Sequence, residues 1–290
     1  MRPDNVTEMI EDKVLIVGLG LIGGSYAEAL TNAGFQVGAI DRNRESLDYA
    51  LAKGIITEGT VRPEKEFISR YRLIVSCLYP NTFVEWIRTC QDLIAPGTLI
   101  TDTSGVKVPV VYEVQRILRP DLEYIGAHPM AGRERSGVVN SDCSVFKGAN
   151  YLVTPTSANT QPAIETCKEL GRRMGFGKIS ELSPEEHDEM IGFLSQLTHC
   201  VAVSLMTCRE TSEMAKYSGD SFRDLTRIAA INETMWSELF LLNRDVLIHQ
   251  IDMFVNSMET LKKAIADGDT ETLRAVMRDS SQKRKQFEKN

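Results

Sequence analysis

Apolar positions along this chain follow two different rhythms. Up to about residue 182, short β-branched and aliphatic runs alternate with stretches in which apolar residues recur every three or four positions. The runs cover residues 13–17, 35–40, 73–78, 98–101, 124–125, 151–153 and 178–179, and helical spacing fills segments such as 82–93 and 161–174. Alternation of this kind predicts an α/β fold with a mostly parallel, doubly wound sheet. Ligands of such sheets bind at the carboxyl ends of the strands, and Gly18, Pro80, Asp102 and His128 all fall there. From Ser183 onward the rhythm is helical almost to the end. Ser183-Pro184-Glu185-Glu186 supplies an N-cap, a proline at the first helical position and the glutamate of a capping box. The run 194–206 is apolar on most sides, which predicts a deeply buried helix. Residues 280–290 are charged and read as a solvated helix end.

Composition narrows the classes of function. The chain has 290 residues, enough for two domains, and a net charge of −7, which argues against general nucleic-acid binding. Its six cysteines are scattered without a CxxC pair, and several lie within apolar runs, so reduced core thiols are expected. No run approaches the roughly 18 consecutive apolar residues of a membrane span. The polar start lacks the apolar stretch of a signal peptide, so the expectation is a cytoplasmic protein without a membrane partner.

The first strand-like run leads into Gly18-Leu19-Gly20-Leu21-Ile22-Gly23, and a helical stretch follows. This is a dinucleotide fingerprint in its proper context. Gly18 allows the tight turn, Gly20 lets backbone approach a pyrophosphate and Gly23 lets helix pack on strand; Leu21 and Ile22 open the helix toward the phosphates. The second run ends in Asp41, placed to accept hydrogen bonds from the adenosine ribose, which favours NAD. Arg42 and Arg44 stand beside it, where a guanidinium would suit the 2′-phosphate of NADP instead. The first domain is therefore read as a Rossmann-type dinucleotide-binding domain over residues 1–182. The second, over 183–290, is read as an all-helical substrate-binding and dimerisation domain.

Two further segments carry chemistry. In Gly126-Ala127-His128-Pro129-Met130-Ala131-Gly132-Arg133-Glu134-Arg135-Ser136-Gly137, the proline fixes the backbone after His128, so the imidazole is held where it can exchange a proton near neutral pH. In the second half, Arg223 and Arg227 are four apart and would share one helical face. They read either as a solvated pair or as a clamp for an anion, since guanidinium forks match carboxylates. His199 and Trp236 lie in the same half.

Taken together, Gly18–Ser25, Asp102–Lys107, Gly126–Gly137, Ser195–His199, Phe222–Ala229 and Met235-Trp236 resemble the prephenate/arogenate dehydrogenases of tyrosine biosynthesis over nearly the whole chain. The resemblance implies an NAD-dependent oxidative decarboxylation of a cyclohexadienol dicarboxylate, prephenate, to 4-hydroxyphenylpyruvate. It also implies a homodimer assembled through the helical domain. His128 would accept the proton of the ring 4-hydroxyl. Arg227 would hold a substrate carboxylate with Arg223 beside it, His199 and Trp236 would line the pocket, and Glu134, Arg133 and Asp188 fall near the site.

The chain departs from the family pattern at three places. The family sequence Asp-x-Gly-Ser-x-Lys is here Asp102-Thr103-Ser104-Gly105-Val106-Lys107, so the serine that supports the histidine is Gly105, and Ser104 is the candidate to replace it. Arg133 stands where many relatives carry a small or hydroxylated residue. Gln196 and Thr198 replace a histidine and a proline. The excess of arginine around the site favours prephenate over arogenate, whose ammonium would be repelled. Arogenate dehydrogenase remains the alternative, with a β-hydroxyacid dehydrogenase the more distant rival. The chain ends too soon after Arg227 to expect an appended regulatory module.

Overall fold

The computed structural model describes residues 13–133 and 135–287. Eight strands form one sheet in the order β3-β2-β1-β4-β5-β6-β7-β8. These are β1 (Lys13–Val17), β2 (Gln36–Ile40), β3 (Glu58–Thr60), β4 (Leu73–Ser76), β5 (Leu99–Asp102), β6 (Glu123–Pro129), β7 (Asn150–Thr154) and β8 (Lys178–Glu181). β1 to β6 run parallel, β7 is antiparallel to β6, and β8 is parallel to β7. The first six strands have the order of the dinucleotide-binding fold, with its reversal between β1 and β4. The central strands are apolar on both faces because helices cover both. Val14 and Ile16 join one core cluster, with Tyr26 and Leu30, and Leu15 and Val17 join the other, with Phe83 and Ile87.

Helices follow the strands as the spacing predicts: α1 (Leu21–Asn32), α2 (Arg44–Ala52), the short α3 (Lys65–Ile68), α4 (Pro80–Cys90), α5 (Val108–Ile117) and α6 (Gln161–Arg173). α7 (Pro184–Ile191) opens on the capping box, Ser183 Oγ accepting from the Glu186 N–H at 3.1 Å and Glu186 Oε2 from the Ser183 N–H at 2.8 Å. A π-helical stretch, Gly192–Leu197, continues into α8 (Thr198–Thr207), and α9 (Asp220–Thr226) and α10 (Glu233–Leu242) follow. The described residues fall into two compact units, the first ending in the chain at Asn243 and the second beginning at Arg244. The second unit is the long α11 (Arg244–Ala266) and α12 (Thr270–Arg284).

The helix over 193–206 corrects the expectation of deep burial. Phe193 and Leu194 are 52% and 42% exposed, and Ala202 is the one fully buried residue of α8. Helical periodicity does not distinguish a core from an interface, so apolar residues on most sides do not imply burial within one protomer. By length and composition alone, the continuous helical run Pro184–Thr207 would suffice to cross a membrane, although no unbroken apolar run of that length exists. Its inner face, however, carries His187, Asp188 and Gln196, all buried and all bonded to other elements.

Candidate active site

The turn after β1 is built for close approach. Gly18 has φ +96°, and a Cβ there would lie 3.1 Å from the Cys77 carbonyl oxygen. A Cβ on Gly23 would lie 1.8 Å from the Gly18 carbonyl oxygen, so only glycine allows this packing of helix on strand. Gly20 has open space at its Cβ position and precedes α1 without any side-chain cap. The N–H groups of Leu21 and Ile22, at the first two helical positions, have no carbonyl of their own helix to meet. At the end of β2, Asp41 accepts from the Leu19 N–H at 2.6 Å and from the Asn43 N–H at 2.7 Å. The carboxylate thus sits against the glycine-rich turn. Arg44 is drawn to Asp48 at 3.0 Å, and Arg42 is exposed. An open cradle with unpaired amides and an acid at its rim fits the pyrophosphate and ribose of a dinucleotide.

On the far side of β4, the ends of β5 and β6 form a buried polar cluster. Asp102, the last residue of β5, accepts from Lys107 Nζ at 2.9 and 2.8 Å, from the Ala127 N–H at 3.1 Å, from Tyr124 Oη at 3.1 Å and from the Ser104 N–H at 2.9 Å. Lys107 Nζ also donates to the Ala127 carbonyl at 2.6 Å. Both sides of the peptide segment just before His128 are thereby clasped. Burial lowers the Lys107 ammonium, and the Asp102 carboxylate opposes that shift.

His128 follows on β6, half-buried, with Nδ1 2.9 Å from Nε2 of His187. His187 is fully buried on α7, and its Nδ1 lies 2.7 Å from Asp188 Oδ1. Asp188 in turn accepts from the N–H groups of Lys107 at 2.7 Å and Val108 at 2.8 Å, at the start of α5. Burial holds the His128 imidazole well below its usual range, with His187 and Lys107 adding to the shift. Burial likewise lowers His187, to about 3, and raises Asp188 to about 6.

The sequence reading missed His187. Its available signal was an adjacent His-Asp pair one turn after a capping box, where an inward-facing histidine has a carboxylate beside it.

The other expected residues divide into those the fold assembles and those it sets apart. His199 stacks on Trp236 of α10, ring centroids 3.7 Å apart, and its Nδ1 lies 2.9 Å from the Ser195 carbonyl oxygen. α10 also covers residue 105: a Cβ built on Gly105 would lie 3.4 Å from both Leu239 methyl carbons and 4.0 Å from His128 Cε1. Position 105 therefore faces the imidazole. Ser104, expected to take over there, is buried with no hydrogen-bond partner for its hydroxyl. Arg223 lies on α9 and Arg227 follows its last residue. α9 ends at Thr226, whose hydroxyl turns back to the Phe222 carbonyl at 2.7 Å, and Arg227 opens the 3-10 turn Arg227–Ala229. That turn packs on α8, the helix of His199. Arg223 is exposed and donates to the Ser218 carbonyl at 2.6 Å. Arg133 is exposed and paired with Asp142 at 2.6 Å. Glu134 lies outside the described residues.

A dinucleotide cradle after β1 and a half-buried imidazole at the same edge of one sheet define a nucleotide-dependent oxidoreductase. The chain belongs to the prephenate dehydrogenase family. The family's nucleotide-binding domain matches residues 26–179 and its dimerization domain residues 183–279. Among curated relatives, prephenate dehydrogenase of Bacillus subtilis is 30% identical over 275 residues, 91% of this chain and 73% of that protein. Cyclohexadienyl dehydrogenase of Zymomonas mobilis is 27% identical over 280 residues, 93% of this chain and 94% of that one. Among solved structures, Aquifex aeolicus prephenate dehydrogenase in complex with hydroxyphenyl propionate and NAD+ superposes with a TM-score of 0.87. It is 31% identical, and the match covers 95% of this chain and 98% of that one.

Proposed function

We propose that this protein catalyses the NAD-dependent oxidative decarboxylation of prephenate to 4-hydroxyphenylpyruvate, a step of tyrosine biosynthesis. The observation that carries the reading is the placement of a half-buried imidazole, His128, hydrogen-bonded to the buried His187, on the sheet edge that also bears the glycine-rich cradle. Bound NAD supplies the hydride acceptor. The protein's part is to hold the ring and move one proton.

The carbon that gives up its hydrogen with two electrons also bears the 4-hydroxyl. A neutral imidazole beside it takes the hydroxyl proton as the carbonyl forms. The C–C bond to the ring carboxylate then breaks and carbon dioxide leaves; the bond's electron pair completes the aromatic ring, and the phenolate oxygen takes back the proton from the His128 imidazolium. Burial suits His128 to this task because it keeps the imidazole unprotonated and ready to accept.

Arg227 is assigned to a substrate carboxylate, and the stacked His199 and Trp236 to the pocket wall. Asp41 and the turn 18–23 are assigned to the cofactor. Arg44 is paired with Asp48, and the Asp41 carboxylate stands at the rim of the cradle, where it would repel a 2′-phosphate; both support NAD over NADP. Asp142 and the Ser218 carbonyl engage Arg133 and Arg223, so the substrate preference does not rest on either guanidinium. It leans on the relatives: the Bacillus subtilis enzyme is a prephenate dehydrogenase, and the Aquifex aeolicus enzyme binds hydroxyphenyl propionate with NAD+. A homodimer through the second half is supported by the dimerization-domain match and by the exposed Phe193, Leu194, Met253 and Phe254. Free thiols fit a cytoplasmic enzyme. The test is a steady-state assay with prephenate and arogenate, each with NAD and NADP, following reduced cofactor and the aromatic product.

A further inference from the structure

A proton acceptor must present a lone pair to its substrate, and a neutral imidazole has only one. Which nitrogen carries it is decided by the hydrogen bond at the other nitrogen. At His128 that bond runs to His187, the one side chain hydrogen-bonded to this imidazole among the described residues. The hydroxyl that the family places at position 105 is absent, and the Ser104 hydroxyl makes no bond. The support for His128 therefore comes from α7 rather than from the loop after β5.

The donor and acceptor roles follow from the far end of the chain. Asp188 is held by two backbone N–H groups at the start of a ten-residue helix, a setting that favours a carboxylate and leaves it able only to accept. His187 Nδ1 must then donate to it. His187 is buried with 0% exposure and faces Lys107 and Asp102, both buried, besides Asp188 and His128. Lys107 repels a second positive charge there, and burial penalises one, so His187 is neutral and its Nε2 holds a lone pair. That lone pair is satisfied by a proton on His128 Nδ1.

We propose that His187 and Asp188 are positioning residues that fix the tautomer of His128, so that its Nε2 is the atom that accepts the substrate proton. Asp188 orients His187, His187 orients His128, and the hydrogen bond to His187 Nε2 stabilises the imidazolium that forms in the reaction. The arrangement follows the logic of a carboxylate-oriented catalytic histidine, lengthened by one imidazole. The kinetic consequence rests on His128 being the acceptor; the tautomer does not.

Nitrogen-15 NMR of the histidine-labelled full-length protein with NAD reads the tautomers directly, because the chain has only four histidines. The expected result is a protonated Nδ1 and an unprotonated Nε2 on both His128 and His187. A proton on His128 Nε2, or a doubly protonated His187, overturns the assignment. Kinetics supply a second reading. His187→Leu removes the acceptor and is expected to lower kcat roughly 10²-fold with KM for prephenate within about threefold, while His187→Gln, whose amide oxygen still accepts, recovers part of the loss. Equal losses in both variants, or an unchanged kcat in a folded His187→Leu protein, contradict the proposal. If His187→Leu does not fold, the wild-type tautomers decide. A protein that shows these tautomers but does not oxidise prephenate refutes the proposed function and upholds the positioning role.

Discussion

The Lys107 ammonium lies 2.8 Å from the Asp102 carboxylate, and both side chains are at most 1% exposed. Together they grip the N–H and the carbonyl of Ala127, one residue before His128. A buried pair of this kind adds little net stability compared with apolar residues of the same shape, but losing one partner strands the other charge. Lys107→Met is expected to destabilise the protein by about 3–5 kcal/mol in chemical unfolding. A loss below about 1 kcal/mol would mean that water reaches Asp102 and that the clasp is not closed.

Ser104 gives a prediction of the opposite sign. Its hydroxyl is buried without a partner, so Ser104→Ala is expected to leave stability unchanged or raise it by up to about 1 kcal/mol. kcat should stay within about twofold of wild type. A tenfold fall in kcat would restore Ser104 as the hydroxyl that acts at the site.

Acid should destabilise the fold through its histidines. His187 falls from 6.5 in the unfolded chain to about 3 in the fold, and His128 is shifted in the same direction. Below pH 6.5 the unfolded state binds these protons and the native state does not, so stability falls as pH falls. Asp188 opposes them: its carboxyl rises from 3.8 to about 6, so between those values the native state holds a proton that the unfolded state lacks. Two histidines against one raised acid leave a net loss of stability as pH falls from 6 towards 4. Unfolding midpoints in denaturant across that range test the slope, and a flat or inverted profile would show that the imidazoles protonate within the fold.

Asp41 is expected to set the cofactor. kcat/KM with NAD should exceed that with NADP by tenfold or more, and Asp41→Ser should narrow the gap by removing the charge that repels a 2′-phosphate. A wild-type preference for NADP would mean that Arg42 or Arg44 leaves its present position to bind that phosphate.

Features encoded in contiguous residues were legible before the structure. The turn 18–23, Asp41 at the end of the second run, the alternation of strands and helices and the capping box at Ser183 each depend on neighbours a few positions apart. β3 was not legible, because Glu58-Gly59-Thr60 is short and has no apolar alternation. The bond between His128 and His187 joins residues 59 apart and depends on how α7 crosses the end of β6, which spacing alone does not specify. The change from α-helix to a 3-10 turn after Thr226, between Arg223 and Arg227, is not visible in their spacing of four.

His128 remains the residue on which the chemistry turns. His128→Asn is expected to lower kcat by roughly 10²–10⁴-fold with prephenate and NAD, leaving KM for both within a few-fold, because an amide keeps much of the shape but cannot take the proton. Near-normal kcat in that variant would place the proton acceptor elsewhere.

The most direct measurement is the product balance of the wild-type enzyme given prephenate and NAD. One 4-hydroxyphenylpyruvate, one carbon dioxide and one reduced cofactor should appear for each prephenate consumed, with kcat/KM at least tenfold above that for arogenate. Turnover of arogenate with the higher kcat/KM, or reduced cofactor formed without release of carbon dioxide, would contradict it.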